Sequence, residues 1–187
     1  MIKIGITGSI ASGKTTVAKI LAKKKYPLFS ADKIVKKLYK KKTFLKKLKK
    51  IIQIEKNKYF KKNLREIIIK GKKKLEKLES LIHPIVRKEM RNFTIRNKGK
   101  RICVYEIPLL FESKLSNYFN IIIFVHSKKN IREKRYLAKH NDKKLFLFLN
   151  NKQLKPKKKI MLSDFLINNN KSLIELRKNV SIVSKKI

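Results

Sequence analysis

The feature that most constrains this chain is an eight-residue pattern near its start, Gly8-Ser9-Ile10-Ala11-Ser12-Gly13-Lys14-Thr15, which satisfies GxxxxGK[ST]. Its flanks supply the context the pattern needs. Ile2 with Lys3-Ile4-Gly5-Ile6-Thr7 reads as a short buried strand, and Val17, Ile20 and Leu21 then recur at helical spacing beside Ala18 and Ala22. In a strand, glycine-rich turn and helix, successive backbone N–H groups converge on a phosphate at the positive end of the helix. Lys14 is then expected to reach the β- and γ-phosphates, and the Thr15 hydroxyl to ligate Mg²⁺. The pattern and its setting predict a protein that binds a nucleoside triphosphate.

Charge points elsewhere at first sight. With 52 Lys and Arg against 12 Asp and Glu, the formal net charge is +40, which would suit a nucleic-acid-binding protein. Composition gives a different account. Lys, Ile and Asn number 44, 26 and 14, whereas Ala, Gly, Pro and Arg together number 22. The first group has A/T-rich codons and the second G/C-rich ones, so drift in an A/T-rich genome explains most of the lysine. Lys outnumbers Arg 44 to 8, while planar bidentate recognition of phosphate and bases favours Arg. No specific nucleic-acid partner is expected, and in this background each Gly, Arg, Asp or Pro is informative.

The 187 residues suit one domain with an inserted subdomain. The longest apolar run, residues 121–125, is far short of the ~20 residues of a membrane span, so a soluble cytoplasmic protein with no membrane contact is expected. A lone Cys103 in an apolar stretch reads as a small core residue. After the opening strand and helix, a second short strand is expected at 27–29, with Ser30 as the cap of a helix beginning there. The pattern is then helical to about Asn97, and Pro84 should start or kink a turn of the last helix. Further strands are expected at 102–105, 121–125 and 165–167, a helix through Arg132 and Arg135, and a closing helix from Ser172. The lysine runs 40–42 and 157–159 read as solvated faces or loops. Strands alternating with helices imply a three-layer α/β fold with a mostly parallel sheet.

The acceptor of the phosphoryl group is the next question. The guanine-reading Asn-Lys-x-Asp pattern is missing, which leaves small phosphate-loop kinases as the natural class. Asp32, one of three Asp in the chain, falls just after the second strand, where such kinases place an acid near the γ-phosphate. Glu106 ends a buried strand at the carboxyl edge of the sheet, where ligands bind in open α/β folds, and Glu112 comes after it as a weaker candidate. Arg132 and Arg135 lie one turn apart and could address ATP phosphates, with Arg135 preferred. A nucleoside monophosphate or other small-metabolite kinase fits these residues too, and a basic nucleic-acid-binding protein is the rival from another class.

Taken together, Gly5-Ile6-Thr7-Gly8-Ser9-Ile10-Ala11-Ser12-Gly13-Lys14-Thr15-Thr16, Asp32, Leu78-Glu79-Ser80-Leu81-Ile82-His83-Pro84 and Glu106-Ile107-Pro108-Leu109-Leu110-Phe111-Glu112 resemble the dephospho-CoA kinase family. Arg132-x-x-Arg135, Gln153, Ser163-Asp164 and Ile167-Asn168-Asn169 continue the resemblance through the C-terminal half. The resemblance implies a P-loop NTPase fold with a helical substrate-binding subdomain at roughly 33–98 and a basic lid at roughly 139–160. It implies an enzyme that phosphorylates the ribose 3′-hydroxyl of dephospho-CoA with ATP and Mg²⁺, the last step of CoA biosynthesis. ATP contacts would come from Gly8, Ala11, Ser12, Gly13, Lys14, Thr15, Thr16, Arg135 and Asn169, with Thr15 on the metal. Acceptor contacts would come from Asp32, His83, Glu106 and Lys159, with Asp32 and Lys14 catalytic. The chain departs from the family at three positions, and the region between Asp32 and His83 looks shortened. Ser30 replaces the first acid of Asp-x-Asp, Lys61 or Lys62 stands for an Arg before Leu64, and Lys159 stands for a lid Arg six residues after Gln153. Lysine keeps the charge and loses the bidentate fork.

Overall fold

The computed structural model describes residues 1–187 apart from Lys24, Glu55 and Lys56, and the side chains of Lys61 and Lys72 also lie outside the described set. Of the two lysines standing for the family's Arg before Leu64, Lys61 therefore falls outside the described side chains, while Lys62 is exposed on its helix.

Five strands, β1 (Ile2–Gly8), β2 (Leu28–Ser30), β3 (Ile102–Glu106), β4 (Ile121–His126) and β5 (Phe165–Asn168), form one sheet in the order β2-β3-β1-β4-β5. Every pairing is parallel. That arrangement is rooted in the sequence, since β3 and β4 are near-continuous apolar runs that require cover on both faces, and β1, whose isoleucines alternate with Lys, Gly and Thr, is buried at five successive residues, 4–8. The helices are α1 (Lys14–Ala22), α2 (Ala31–Leu38), α3 (Lys42–Ile52), α4 (Phe60–Lys70), α5 (Lys72–Arg96), α6 (Lys129–His140), α7 (Lys143–Lys152), α8 (Pro156–Met161) and α9 (Leu173–Ser184). None of the helices among the described residues is long and apolar enough to cross a membrane. The chain divides into two compact units, one of Met1–Ser30 with Thr94–Ile187 and one of Ala31–Phe93.

In the first unit, Ile4, Ile6, Val104, Ile123, Val125 and Ile167 pack against Val17, Ala18 and Leu21 of α1 and Leu176, Val180 and Val183 of α9. Each fully buried aliphatic side chain contributes roughly 1.5–3 kcal/mol. Tyr105 is buried within a ring cluster, its centroid 6.0 Å from Phe29, 6.0 Å from Tyr118 and 5.4 Å from Phe119. Its hydroxyl shares a hydrogen bond with Thr94 Oγ1 at 2.7 Å, and burial pushes it up to about 12. Gly5 pairs with Tyr105 in the register, and a Cβ there would come within 2.8 Å of both Leu110 Cδ1 and Phe119 Cγ. The glycine therefore lets Leu110 and Phe119 rest on the central strand.

The second unit is helical. Phe44, Leu48 and Ile52 form the buried stripe of α3 at four-residue spacing, joined in the core by Leu38, Leu75, Leu78 and Met90. Tyr39 meets Phe44 and Phe60 edge-on at 5.6 and 5.7 Å, and burial pushes its phenol up to about 12. Pro84 lies inside α5, which runs unbroken from Lys72 to Arg96. A proline removes one helical N–H, and a helix of 25 residues anchored by buried Leu75, Leu78 and Met90 tolerates that loss.

Candidate active site

Parallel strands deliver their C-terminal residues to one edge of the sheet, and here that edge carries Gly8, Ser30, Glu106, His126 and Asn168. The phosphate loop rises from β1 and turns into α1. Ala11 adopts φ 58° and Gly13 φ 95°, and the Gly13 carbonyl accepts the first helical amides, from Thr16 and Val17. Gly13 is required by space as well as by φ, because a Cβ there would stand 2.1 Å from Asn169 Nδ2. The loop encloses its own lysine. Lys14 Nζ donates to the carbonyls of Gly8 at 3.1 Å and Ser9 at 2.9 Å, which holds the cation over the turn.

Glu106 is the centre of the site's polar network. It is 1% exposed, and its two oxygens accept from different elements: Thr15 Oγ1 donates to Oε1, and Ser30 Oγ donates to Oε2 at 2.7 Å. The parallel register sets this up by placing Ser30 opposite Glu106 on β2 and β3. Ser30 stands directly before α2, where the cap was expected, and its hydroxyl has a further engagement. It is the last residue of β2, and its hydroxyl is engaged by a carboxylate 76 positions away. Since the Thr15 O–H points to Glu106, the Thr15 oxygen keeps lone pairs for a hard cation.

A second network closes the other side of the loop. Asn169 Nδ2 donates to Ser12 O at 2.8 Å, and Arg135 Nη1 donates to Asn169 O at 3.1 Å and to Ser127 Oγ at 3.3 Å. The expected nucleotide residues Arg135 and Asn169 are thus joined to the loop and to each other. Arg132 is more buried than Arg135 and binds the loop directly. Its Nε donates to Ser127 O at 3.0 Å, and its Nη1 to Ile10 O at 3.3 Å and Asn150 Oδ1 at 2.9 Å. Burial lowers the Arg132 guanidinium from its ordinary value, and burial with the nearby Arg132 charge lowers His126. Gln153 Oε1 accepts the Ile10 N–H at 2.9 Å.

Asp32 and His83 belong to the second unit. Asp32 is exposed in the first turn of α2, two residues along the chain from Ser30, and His83 is half-buried in α5. Thr16 is exposed on α1. Lys159 departs most from the solvated run expected of it. It lies in α8 at 0% exposure, with Nζ 2.6 Å from Glu112 Oε1. Sequence reasoning assigned no site role to Ser30, Gln153 or Asn150. Ser30 stood at the family's first acid position and Gln153 within the resemblance, but the pairing of a serine-ended strand with a glutamate-ended one becomes legible only once the strand order is known.

The dephospho-CoA kinase family model matches residues 2–175. A dephospho-CoA kinase of Bartonella henselae is 35% identical over 98% of this chain and 97% of its own length. Among solved structures, a protein of Thermus thermophilus covers 100% of this chain and 97% of its own at 25% identity, with a TM-score of 0.81. The dephospho-CoA kinase of Campylobacter jejuni covers 98% of this chain and 96% of its own at 26% identity, with a TM-score of 0.67.

Proposed function

The chain belongs to the dephospho-CoA kinase family, and from that premise we propose that it transfers the γ-phosphoryl group of ATP to the ribose 3′-hydroxyl of dephospho-CoA, giving CoA and ADP. The observation that carries the reading is the buried Glu106 linking Thr15 of the phosphate loop to Ser30 at the end of β2. It joins the nucleotide loop to the strand end from which the chain continues to Asp32.

In this reading, Gly8, Ala11, Ser12 and Gly13 supply the cradle, and the first-turn amides of α1 face the phosphates. Lys14 exchanges its carbonyl partners for the β- and γ-phosphates, where a fixed cation offsets developing charge. Thr15, with Glu106 orienting its hydroxyl, would hold Mg²⁺, which neutralises phosphate charge when bound. Thr16 continues the phosphate contacts. Arg135 and Asn169 bind the nucleotide from the side of Ser12, and Arg132 holds the rim of the loop through Ile10. Asp32 accepts or steers the proton of the attacking hydroxyl, and His83 contributes to acceptor binding. The segment at roughly 139–160 acts as the lid and excludes water, which otherwise competes as acceptor. The enzyme acts on a small molecule in the cytoplasm.

An assay of ADP release, run with dephospho-CoA and with nucleoside monophosphates in parallel, tests the proposal. Turnover is expected with dephospho-CoA and Mg²⁺-ATP, with phosphate recovered on the ribose 3′ position. Faster turnover of a nucleoside monophosphate, or a product phosphorylated elsewhere, would refute it.

A further inference from the structure

Glu112 lies six residues beyond Glu106, and both of its contacts reach into the segment of α7 and α8. Its Oε1 accepts the Leu154 N–H at 3.0 Å, and the same oxygen lies 2.6 Å from Lys159 Nζ. Lys159 is wholly inaccessible to solvent. Beyond that ion-pair contact, neither Lys159 Nζ nor Glu112 Oε2 has a hydrogen-bond partner among the described residues. Each charge thus depends on the other, and a buried ion left without its counterpart is strongly unfavourable.

The neighbouring residue carries the consequence to the loop. Gln153 directly precedes Leu154, and its Oε1 holds the Ile10 N–H at 2.9 Å. The Ile10 carbonyl is held from the same segment indirectly, by Arg132 Nη1, which also donates to Asn150 Oδ1. Adjacent residues between α7 and α8 are therefore fixed at two points, Gln153 on the phosphate loop and Leu154 on Glu112. Freeing Leu154 moves the backbone that aims Gln153.

We propose that Glu112 and Lys159 are positioning residues for phosphoryl transfer: their buried pair pins the α7–α8 connection so that Gln153 keeps the rim of the phosphate loop in its nucleotide-binding form. Lys159 then acts through Glu112 and touches no substrate. The inference rests on the reading of this loop as the nucleotide site of a kinase.

The test compares Glu112→Gln, Lys159→Met, the double variant and Gln153→Met with the unaltered chain. Binding of a fluorescent ATP analogue is measured directly, and KM and kcat are measured with ATP and dephospho-CoA. Glu112→Gln keeps an acceptor for Leu154 but strands the lysine charge, and Lys159→Met strands the carboxylate. Each single variant should weaken nucleotide binding and raise KM for ATP by about 10²-fold at most, the scale of an ångström-sized misplacement. KM for dephospho-CoA should stay unchanged. The double variant removes both charges and should recover about tenfold of the loss, as coupled neighbours do. Gln153→Met should reproduce the loss of affinity with the pair intact, so the proposal stays testable where a single charge variant does not fold. Single variants or Gln153→Met that bind nucleotide normally would overturn it, as would a double variant no better than Lys159→Met with kcat rather than KM reduced. If the unaltered chain binds nucleotide yet fails to phosphorylate dephospho-CoA, the functional reading falls, while the binding data still judge the pair.

Discussion

Ser30→Asp is the most informative single perturbation of the site, because it introduces the family's missing acid into a network already built around a carboxylate. Ser30 Oγ lies 2.7 Å from Glu106 Oε2 and donates to it. The substitution removes that donor, worth about 1 kcal/mol, and sets a second negative charge beside the first. At a separation of ~4 Å and an effective dielectric near 20, the repulsion is about 4 kcal/mol. Taking up a proton at pH 7.5 against an ordinary carboxyl value near 4 costs about 5 kcal/mol, so repulsion and protonation nearly balance. A loss of roughly 4–5 kcal/mol is a large share of a typical stability of 5–15 kcal/mol. For a chain of this size it corresponds to a melting point lowered by about 10 °C or more.

The sign of the pH dependence separates this cause from a packing defect. Where the folded variant holds a proton that the unfolded chain has released, stability falls as pH rises, by up to about 1.4 kcal/mol per unit. The gap between Ser30→Asp and the unaltered chain should therefore be small near pH 4 to 5 and widen toward pH 8. Calorimetric melts of both proteins across that range read it directly. A gap of constant size, or melting points that coincide at pH 8, would show that Ser30 and Glu106 do not share a buried contact.

Three further outcomes are expected. Lys14→Ala should nearly abolish phosphoryl transfer while the melting transition persists, since it removes the cation held over the loop by Gly8 and Ser9; turnover at the normal rate would refute its role. Asp32→Asn should lower kcat by about 10²- to 10⁴-fold with ATP affinity little changed, whereas a loss below about threefold would leave Asp32 a helix-terminal residue, since Asn serves helix N-termini about as well as Asp. RNA binding, tracked by salt titration, should be weak, indifferent to sequence and lost by about 200 mM salt; tight selective binding above that would show that the basic surface has a partner of its own.

The phosphate loop was legible because its chemistry is local: eight consecutive residues carry it, and glycine is scarce enough in this chain for three within thirteen positions to stand out. Much of the sheet was legible for a similar reason, as β3 and β4 are contiguous apolar runs and β1 leads directly into the glycine-rich loop. The contacts that complete the site are long-range. Ser30 resembled a cap because serine before a helix usually is one, and only the β2–β3 register shows a glutamate opposite it. Lys159 resembled its neighbours Lys157 and Lys158, which are exposed, and what distinguishes it is a carboxylate 47 positions earlier. Pro84 was expected to start or kink a turn of the last helix, and it lies within α5, which continues to Arg96.

The same contrast explains how so basic a chain keeps a specific fold. An exposed acid or base in an ion pair contributes about 0–1 kcal/mol, so replacing surface residues with lysine changes stability little. The acids inside the structure are of another kind. Asp142 caps α7 through the Leu145 N–H, Glu106 holds two hydroxyls, and Glu112 holds Leu154 and Lys159. Losing Glu106 or Glu112 strands a buried donor, Ser30 Oγ or Lys159 Nζ, at about 1–3 kcal/mol and more where the donor is charged. Lysine at such a position would also bury a second cation beside them. The composition can therefore drift toward lysine wherever the side chain meets solvent, and it meets a physical limit at the few acids whose partners are backbone N–H groups, buried hydroxyls and a buried ammonium.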